Sequence, residues 1–268
     1  MDRKKLWRRY QQYLCTCPSL GLSVDVSRVP FTPAFFKKMD GPMAQAYDAM
    51  AGLEAGEIAN PDEGRMVGHY WLRSPRLAPT DAIARQVRKA IKDIKSFASD
   101  VHAGTIAPPK NKKFTDVLQV GIGGSALGPQ LVADCLGTAK DKMTVHFMDN
   151  TDPDGIARTL NTLGSRLKST LVLVVSKSGG TPETRNGMLE TKAAFEHAGL
   201  DFARHAVAVT GDGSKLDKVA KKAAAAGLSF AMRGKRLKLV KPIKNARQNG
   251  EMDSPFTSRI HSQFLYTQ

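Results

Sequence analysis

Residues 116–129 read D-V-L-Q-V-G-I-G-G-S-A-L-G-P. The run from 116 to 120 is rich in branched and apolar residues and ends at a glycine, which predicts a buried strand. The glycines permit a tight turn, and an apolar helical pattern starts directly after them. A helix N-terminus at such a turn presents unpaired N–H groups and a partial positive charge. The stretch therefore predicts an α/β fold with an anion-binding loop, a turn without any ligand being the alternative.

The same arrangement recurs at residues 176–184, which read S-K-S-G-G-T-P-E-T. They follow another apolar run, and Pro182 suits the first position of a helix with Thr181 as the capping residue before it. Hydroxyls and a lysine around a helix N-terminus can hold a phosphate by hydrogen bonds and by charge. The candidate ligands in this loop are Ser176, Lys177, Ser178 and Thr181. A solvated turn that only caps the helix is the alternative.

Short apolar runs alternate with helical patterns throughout residues 115–230. The predicted strands lie at 116–120, 144–148, 170–175 and 205–209, and the predicted helices lie near 125–136, 153–163, 182–198 and 214–226. This alternation is typical of βαβ units, and so of a parallel sheet with helices on both faces. Ligands of such sheets bind beyond the carboxyl ends of the strands. We therefore predict a three-layer αβα, Rossmann-like domain over residues 115–230.

Residues 1–114 have a different pattern, in which helical periods predominate. The clearest helix begins with a cap at Thr80 or Asp81, after which apolar residues recur every three or four positions. Two aromatic clusters, around Trp7 and Trp71, are expected to pack inside the protein because tryptophan is usually well buried. We therefore predict a mostly helical N-terminal region.

The net charge of +15 lies mainly at the ends of the chain. Residues 1–10 contribute +4, residues 229–268 contribute +6, and the residues between them contribute +5. A moderately basic body attracts an anionic metabolite as well as it attracts a polyanion. Charge alone does not decide between these partners; a nucleic-acid binder that works through the basic ends is an alternative that is not expected. Salt-dependent retention on DNA would test that alternative.

Composition excludes several other classes of protein. A hydrophobic content of 41% is ample for a globular core. No run approaches the roughly 18–20 apolar residues of a membrane-spanning helix, and the N-terminus lacks the apolar core of a secretory signal. A cytoplasmic protein without membrane contact is therefore expected. Cys15, Cys17 and Cys135 are too few and too unevenly spaced for a disulfide framework or a zinc site, so no metal is expected.

The two loop motifs carry a resemblance to a known family. V-G-I-G-G-S-A-L-G-P at 120–129 and S-K-S-G-G-T-P-E-T at 176–184 resemble the paired signatures of glucose-6-phosphate isomerases, which have the sugar-isomerase (SIS) fold. The likeness extends over residues 7–230 and includes H-Y-W-L-R-S-P at 69–75 and A-V-T-G-D-G-S-K-L at 208–216. The resemblance implies that the predicted α/β domain is a first SIS domain.

The resemblance also implies an activity and a site. Members of the family interconvert glucose 6-phosphate and fructose 6-phosphate, an aldose–ketose isomerisation of glycolysis and gluconeogenesis, without metal or organic cofactor, and they are homodimers. In the family the second loop holds the sugar phosphate and the first loop lines the same pocket. The substrate-binding residues implied here are Gly124, Ser125, Ser176, Lys177, Ser178 and Thr181.

The resemblance ends after Phe230. The family continues with an arginine that stabilises the enediolate and a second SIS domain, which carries the glutamate base, a ring-opening histidine and a lysine. None of these matches a position here, so no catalytic residue is assigned. Residues 231–268 are an unmatched basic tail in which little regular structure is expected. We therefore expect a truncated or frameshifted isomerase that keeps the phosphate-binding loops and is inactive alone, with an evolved basic extension as the alternative.

A non-catalytic SIS module that binds a sugar phosphate is the alternative function. The long helical region that precedes residue 115 favours the isomerase over this module.

Overall fold

The computed structural model describes residues 2–62, 64–225 and 251–253. The chain divides into two compact units, residues 1–51 and residues 52–268. The first holds a β-hairpin with its flanking helices, and the second holds the parallel sheet. The domains expected from the sequence, with boundaries at 114/115 and 230/231, stay predictions. The two compact units are defined by contacts within the chain and do not test those boundaries.

The N-terminal unit consists of a short hairpin between two helices. Its elements are α1 (Arg3–Tyr13), β1 (Leu14–Cys17), β2 (Leu22–Asp25) and α2 (Pro33–Ala55), the last of which continues into the second unit. The two strands pair antiparallel. The side chain of Asp2 caps α1 by accepting a hydrogen bond from the backbone N–H of Lys4.

Arg9 holds this unit together. Its guanidinium donates to the backbone carbonyls of Ser27 at 2.6 Å and Val29 at 2.8 Å, and it lies 4.5 Å from the centroid of the Phe31 ring. Charge-assisted hydrogen bonds and a cation–π contact therefore fasten the segment after the hairpin to α1. Trp7 is 59% exposed and stacks on a neighbouring tyrosine, so the prediction that it is buried is wrong. Trp7 is exposed because α1 has no buried residue and this tryptophan lies on its solvent side.

The second unit begins with small elements that precede the sheet. These are β3 (Ile58–Asn60), β4 (Arg65–Val67), α3 (His69–Arg73) and α4 (Asp81–Ala103). The prediction of a helical N-terminal region is confirmed, with four short strands that the sequence pattern did not reveal. Thr80 caps α4 through its hydroxyl, which accepts from the N–H of Ile83 at 3.3 Å, as predicted. Trp71 is fully buried and its indole N–H donates to the carbonyl of Glu54 at 2.8 Å.

Four parallel strands form the main sheet, and their positions agree with the predicted ones. They are β5 (Asp116–Val120), β6 (Thr144–Met148), β7 (Thr170–Ser176) and β8 (Ala206–Thr210), in the order β6-β5-β7-β8. The helices after them are α5 (Leu127–Leu136), α6 (Pro153–Leu163), α7 (Pro182–His197) and α8 (Lys215–Ala225). The predicted parallel sheet of βα units is confirmed.

Helices cover both faces of this sheet. On one face, apolar residues of α4 such as Phe97 and Val101 pack with Val117 and Leu173 of the strands. On the other face, residues of α6, α7 and α8 pack with alternate strand positions, among them Val120. Successive strand residues point to opposite faces, so the near-continuous apolar runs of the sequence serve two cores at once. This is the three-layer αβα arrangement expected from the sequence.

A buried ionic cluster lies at the amino end of β5. Asp116 is 1% exposed, and its Oδ1 atom accepts from His146 Nε2 at 2.9 Å and from Arg166 Nη1 at 2.8 Å. The hydroxyl of Thr115 donates to the other carboxylate oxygen at 2.8 Å. A buried carboxylate is tolerated only when it is paired in this way. The cluster therefore fastens β5, β6 and the turn before β7 at the edge opposite the two loops.

The predicted lack of regular structure in 231–268 falls mostly outside the described residues. Within that segment the backbone of Glu251–Asp253 forms β9, which pairs parallel with β4. The three cysteines are free thiols. Across the described ranges, no helix combines the length and the apolar character needed to cross a membrane.

Candidate anion-binding site

The two loops singled out in the sequence lie side by side at the carboxyl edge of the sheet. They follow β5 and β7, which are neighbours in register from Asp116 opposite Thr170 to Val120 opposite Val174. A Cβ added to Gly121 would lie 3.2 Å from the carbonyl oxygen of Val175, the residue before the second loop begins. The bases of the two loops are therefore in contact. A side chain at the start of the first loop would fit only if its neighbours moved by a few tenths of an ångström.

The first loop turns through a single 3₁₀ turn, Gly123–Ser125, before α5 starts. Gly123 has φ +56°, in the left-handed region that glycine adopts without strain. Gly124 is exposed and has no atom within 4 Å of an added Cβ, so its backbone faces open space. The Ser125 hydroxyl is half-buried and has no hydrogen-bond partner within the described part of the chain. It is free to bind a ligand that enters this space.

The second loop is built from hydroxyls that bond to its own backbone. Ser176 is 4% exposed, and its Oγ lies 3.1 Å from Thr181 Oγ1 and accepts from the N–H of Gly179 at 3.1 Å. The exposed Ser178 accepts from the N–H of Gly180 at 3.2 Å. Ser176 and Thr181 therefore close the loop from inside, while Ser178 lies at its solvent side. Ser178 keeps its own hydroxyl hydrogen available as a donor.

The start of α7 differs in one respect from the prediction. Thr181 does occupy the N-cap position with Pro182 directly after it. Its side chain, however, accepts no hydrogen bond from the first turn of α7, because its hydroxyl pairs with Ser176 instead. The N-terminus of α7 thus keeps backbone N–H groups without a cap from Thr181. Such groups, with the helix dipole, favour an anion.

Comparison with known proteins decides the family. The sequence model for "Phosphoglucose isomerase" matches residues 40–227, which is more than half of the chain and includes both loops. The chain belongs to the phosphoglucose isomerase family. The match ends close to residue 230, where the resemblance read from the sequence also ended.

Individual members of the family agree with this. The glucose-6-phosphate isomerase of Geobacter sulfurreducens is 59% identical over 221 residues, and that of Rippkaea orientalis is 57% identical over 220 residues. Each alignment covers 82% of this chain and 42% of the relative. A crystal structure of a glucose-6-phosphate isomerase from Chlamydia trachomatis superposes with a TM-score of 0.65 at 27% identity, covering 78% of this chain and 41% of that one. The chain thus spans less than half the length of the relatives that it matches.

Within this member of the phosphoglucose isomerase family, a buried glutamine supports the first loop. Gln119 is 1% exposed on β5, and its side-chain N–H donates to the backbone carbonyl of Ser125. Its Oε1 atom is buried without a hydrogen-bond partner in the described residues. The amide therefore holds the end of the turn against the sheet. From the sequence, Gln119 is predicted only as a strand residue, although a polar residue inside an apolar strand indicates that a specific partner is present.

A third loop adjoins the second one. It follows β8 and reads T-G-D-G-S-K-L at 210–216, a stretch that carries part of the family resemblance but in which no ligand was predicted. The N–H of Gly211 donates to the carbonyl of Lys177 at 3.1 Å. Ser214 caps α8, because its hydroxyl accepts from the N–H of Asp217 at 3.0 Å and lies 2.7 Å from Thr210 Oγ1. The third loop is thereby fixed against the backbone of the second.

The lysines around these loops differ in ion pairing. Lys177 and Lys215 are exposed, one on the second loop and one at the start of α8. The pKa of Lys221 is raised by its hydrogen bond to Asp217 and, to a smaller extent, by its hydrogen bond to Asp212. This lysine is therefore charged and paired with both carboxylates. The edge of the sheet therefore offers hydroxyls, backbone N–H groups and cations to a ligand. Groups of these kinds are the ones that proteins use to bind phosphate.

Proposed function

We propose that this chain contributes the phosphate-binding part of a glucose-6-phosphate isomerase. The observation that carries the proposal is the contact between the bases of the two loops, where Gly121 lies against the carbonyl of Val175 in a chain of the phosphoglucose isomerase family. One loop offers a serine hydroxyl that has no partner among the described residues, together with open glycine backbone, and the other offers hydroxyls at a helix N-terminus. A phosphate between them would receive hydrogen bonds from both.

The proposed ligands divide into direct and supporting residues. Ser125 and Ser178 would donate their hydroxyls to phosphate oxygens, with the backbone of Gly124 beside them. Ser176 and Thr181, bonded to each other at 3.1 Å, would hold the second loop in shape. Each charge-assisted hydrogen bond would contribute about 1.5–3 kcal/mol to binding. Lys177 completes the proposed set as a cation that offsets part of the phosphate charge.

The proposed substrates are glucose 6-phosphate and fructose 6-phosphate, interconverted through a cis-enediol without metal or organic cofactor. In this reaction the phosphate lies far from C1 and C2, where the proton moves. Binding energy gained at the phosphate orients the reacting carbons and lowers the entropic part of the barrier. The six proposed residues would supply that binding energy, and none of them is proposed as the acid or base.

The cellular role follows from the same family membership. We propose a cytoplasmic protein of glycolysis and gluconeogenesis that works in a homodimer when the acid–base groups of the family are present. The non-catalytic module considered above is not favoured, because the relatives matched over 82% of this chain carry the isomerase name.

Calorimetric titration of the 268-residue protein with glucose 6-phosphate tests the proposal. We expect saturable binding, and a similar but weaker response to inorganic phosphate, because both carry the phosphate group. Glucose, which lacks the phosphate, is the matched control and should give no heat. Absence of binding and of any thermal shift at millimolar glucose 6-phosphate, in a sample shown to be folded by circular dichroism, would overturn the proposed function.

A further inference from the structure

Lys215 is the first residue of α8, on the third loop, and its side chain extends toward the second loop. A Cβ added to Gly180 would lie 3.6 Å from Lys215 Cδ, 4.0 Å from Lys215 Nζ and 3.8 Å from Ser178 Oγ. The lysine ammonium and the Ser178 hydroxyl therefore flank the same backbone position. Gly180 is exposed, so this position opens to solvent and not into the core.

The backbone that carries Lys215 is firmly placed. Gly179 approaches Leu216 so closely that an added Cβ would lie 2.5 Å from the Leu216 backbone nitrogen. Ser214 caps α8 through the N–H of Asp217, and Gly211 bonds to the carbonyl of Lys177. These contacts fix the backbone of Lys215 beside the second loop, so only its side chain can change conformation.

The charge on Lys215 has no counterion in the parts of the chain that are described. The two acidic residues nearest to it in sequence, Asp212 and Asp217, both pair with Lys221, the former at 2.9 Å. Gly213 also donates its N–H to Asp217. Lys215 itself is exposed and forms no ion pair within the described ranges. An unpaired ammonium next to a hydroxyl-rich loop is a position that an anion can complete.

We propose that Lys215 is a further ligand of the phosphate group, which it contacts from the side of Gly180 and Ser178. The inference rests on the proposed function, because it assumes that the phosphate lies between the first two loops. Lysine suits this role as a compact point charge on a long stem, able to follow a phosphate oxygen without a fixed fork geometry. It would place a cation beside Ser178 on the phosphate, and it would act on any phosphate monoester regardless of the sugar.

The experiment compares three variants of the full 268-residue protein by calorimetric titration with glucose 6-phosphate and with inorganic phosphate. Lys215→Gln should bind both ligands about tenfold more weakly, since a charge-assisted contact is lost. Lys215→Arg should restore most of the affinity because the charge remains. Lys218→Gln removes the same charge from α8 three residues further on, and it should change the affinity less than about twofold, as expected of a screened charge without contact. Circular dichroism and thermal midpoints check that each variant is folded.

The outcomes separate this inference from the proposed function. If the parent protein binds neither ligand, the proposed function fails and the inference fails with it. If the parent binds and Lys215→Gln binds equally well, only the inference is overturned. If Lys215→Gln and Lys218→Gln weaken binding to the same extent, the loss comes from the overall positive charge near the site and not from a contact of Lys215. That result also overturns the inference.

Discussion

Gly179 and Leu216 approach each other so closely that no side chain fits between them. An added Cβ on Gly179 would lie 2.5 Å from the backbone nitrogen of Leu216 and 2.7 Å from Ser214 Oγ, and Gly179 has φ +64°. Both the local conformation and the neighbouring loop thus demand glycine. The contact joins the second loop to the start of α8, so the shape of the candidate site depends on it.

We expect Gly179→Ala to destabilise the protein by about 1–3 kcal/mol, because left-handed strain and overpacking against backbone act together. Gly180→Ala is the matched control, since its Cβ would meet no atom closer than 3.6 Å. That variant should stay within about 0.5–1 kcal/mol of the parent. Urea unfolding measures both values. Equal stability of the two variants would show that the loops separate easily and that the contact is unimportant.

Ser178 offers a test of the hydroxyls in the second loop. Ser178→Ala should weaken the binding of glucose 6-phosphate by about 1–3 kcal/mol if the hydroxyl meets the phosphate, which is the usual cost of losing a hydrogen bond to a charge. Ser165→Ala, at an exposed serine before β7 and outside the loops, should leave the affinity unchanged. Calorimetry gives both values. An unaltered affinity for Ser178→Ala would assign that hydroxyl to the turn alone, where it accepts from Gly180.

The four strands of the sheet could be predicted from the sequence because each has five or more residues, most of them apolar or β-branched, and is bounded by turns. The strands of the N-terminal region, such as Leu14–Cys17 and Ile58–Asn60, contain three or four residues, too few to show a period. The prediction that the aromatic residues are buried was right for Trp71 and wrong for Trp7. Composition cannot tell which of two tryptophans has a packing partner.

The candidate site was predictable only where it is local in sequence. The loop residues could be identified because glycines and hydroxyls follow a strand directly, as in the turn that ends at Ser125. The Gln119 contact and the approach of Lys215 to Gly180 could not, because each depends on how separate segments meet in space. The missing cap at Thr181 is similar. The Thr181 hydroxyl could bond either to the first turn of α7 or to Ser176, and the sequence alone does not show that it bonds to Ser176.

The buried Asp116 cluster predicts a large effect on stability. Asp116→Asn should destabilise the protein by about 2–4 kcal/mol, because it removes the charge that pairs with Arg166 and His146 inside the protein. Asp93→Asn is the control, since Asp93 is 39% exposed and pairs with Lys89 on the surface of α4. Surface pairs contribute about 0–1 kcal/mol. Denaturant midpoints compare the two, and a small loss for Asp116→Asn would mean that the buried charge is not needed.

His205 predicts how stability depends on pH. Burial lowers the pKa of His205, against the opposing effect of its hydrogen bond to the Thr170 carbonyl, and the ring packs on Phe114 and Phe195. The unfolded chain therefore binds a proton at a higher pH than the folded one. Stability from this residue is present above the unfolded pKa of about 6.5 and is lost as the pH falls below it.

The measurement is urea unfolding of the parent and of His205→Gln between pH 8 and pH 5. The parent should lose stability through this range by at most about 1.4 kcal/mol per pH unit from this residue. His205→Gln should be less stable at pH 8 yet show a shallower slope, while His197→Gln, at an exposed histidine, should keep the slope of the parent. His102 adds a contribution of the same sign, because burial and then Lys142 lower its pKa. Identical slopes for the parent and His205→Gln would contradict this prediction.

The last prediction concerns turnover by the 268-residue chain. Moving a proton between C2 and C1 needs a base within hydrogen-bond reach, and such catalysis contributes about 10²–10⁴-fold. The resemblance assigns the groups that the family uses for this to positions beyond the matched residues, and the glutamates nearest the second loop, Glu183 and Glu190, belong to α7.

We therefore expect the chain to bind glucose 6-phosphate and to form fructose 6-phosphate at a rate indistinguishable from the uncatalysed one. Stabilisation of the enediolate by preorganised donors is often the larger part of the rate enhancement, and the resemblance assigns it to an arginine that also lacks a counterpart here. Both losses fall on the transition state and leave ground-state binding intact. A coupled assay of the purified chain, beside the Geobacter sulfurreducens isomerase at equal concentration, measures the difference. Turnover comparable to that of the relative would show that residues within this chain perform the proton transfer, and that the roles assigned by resemblance are wrong.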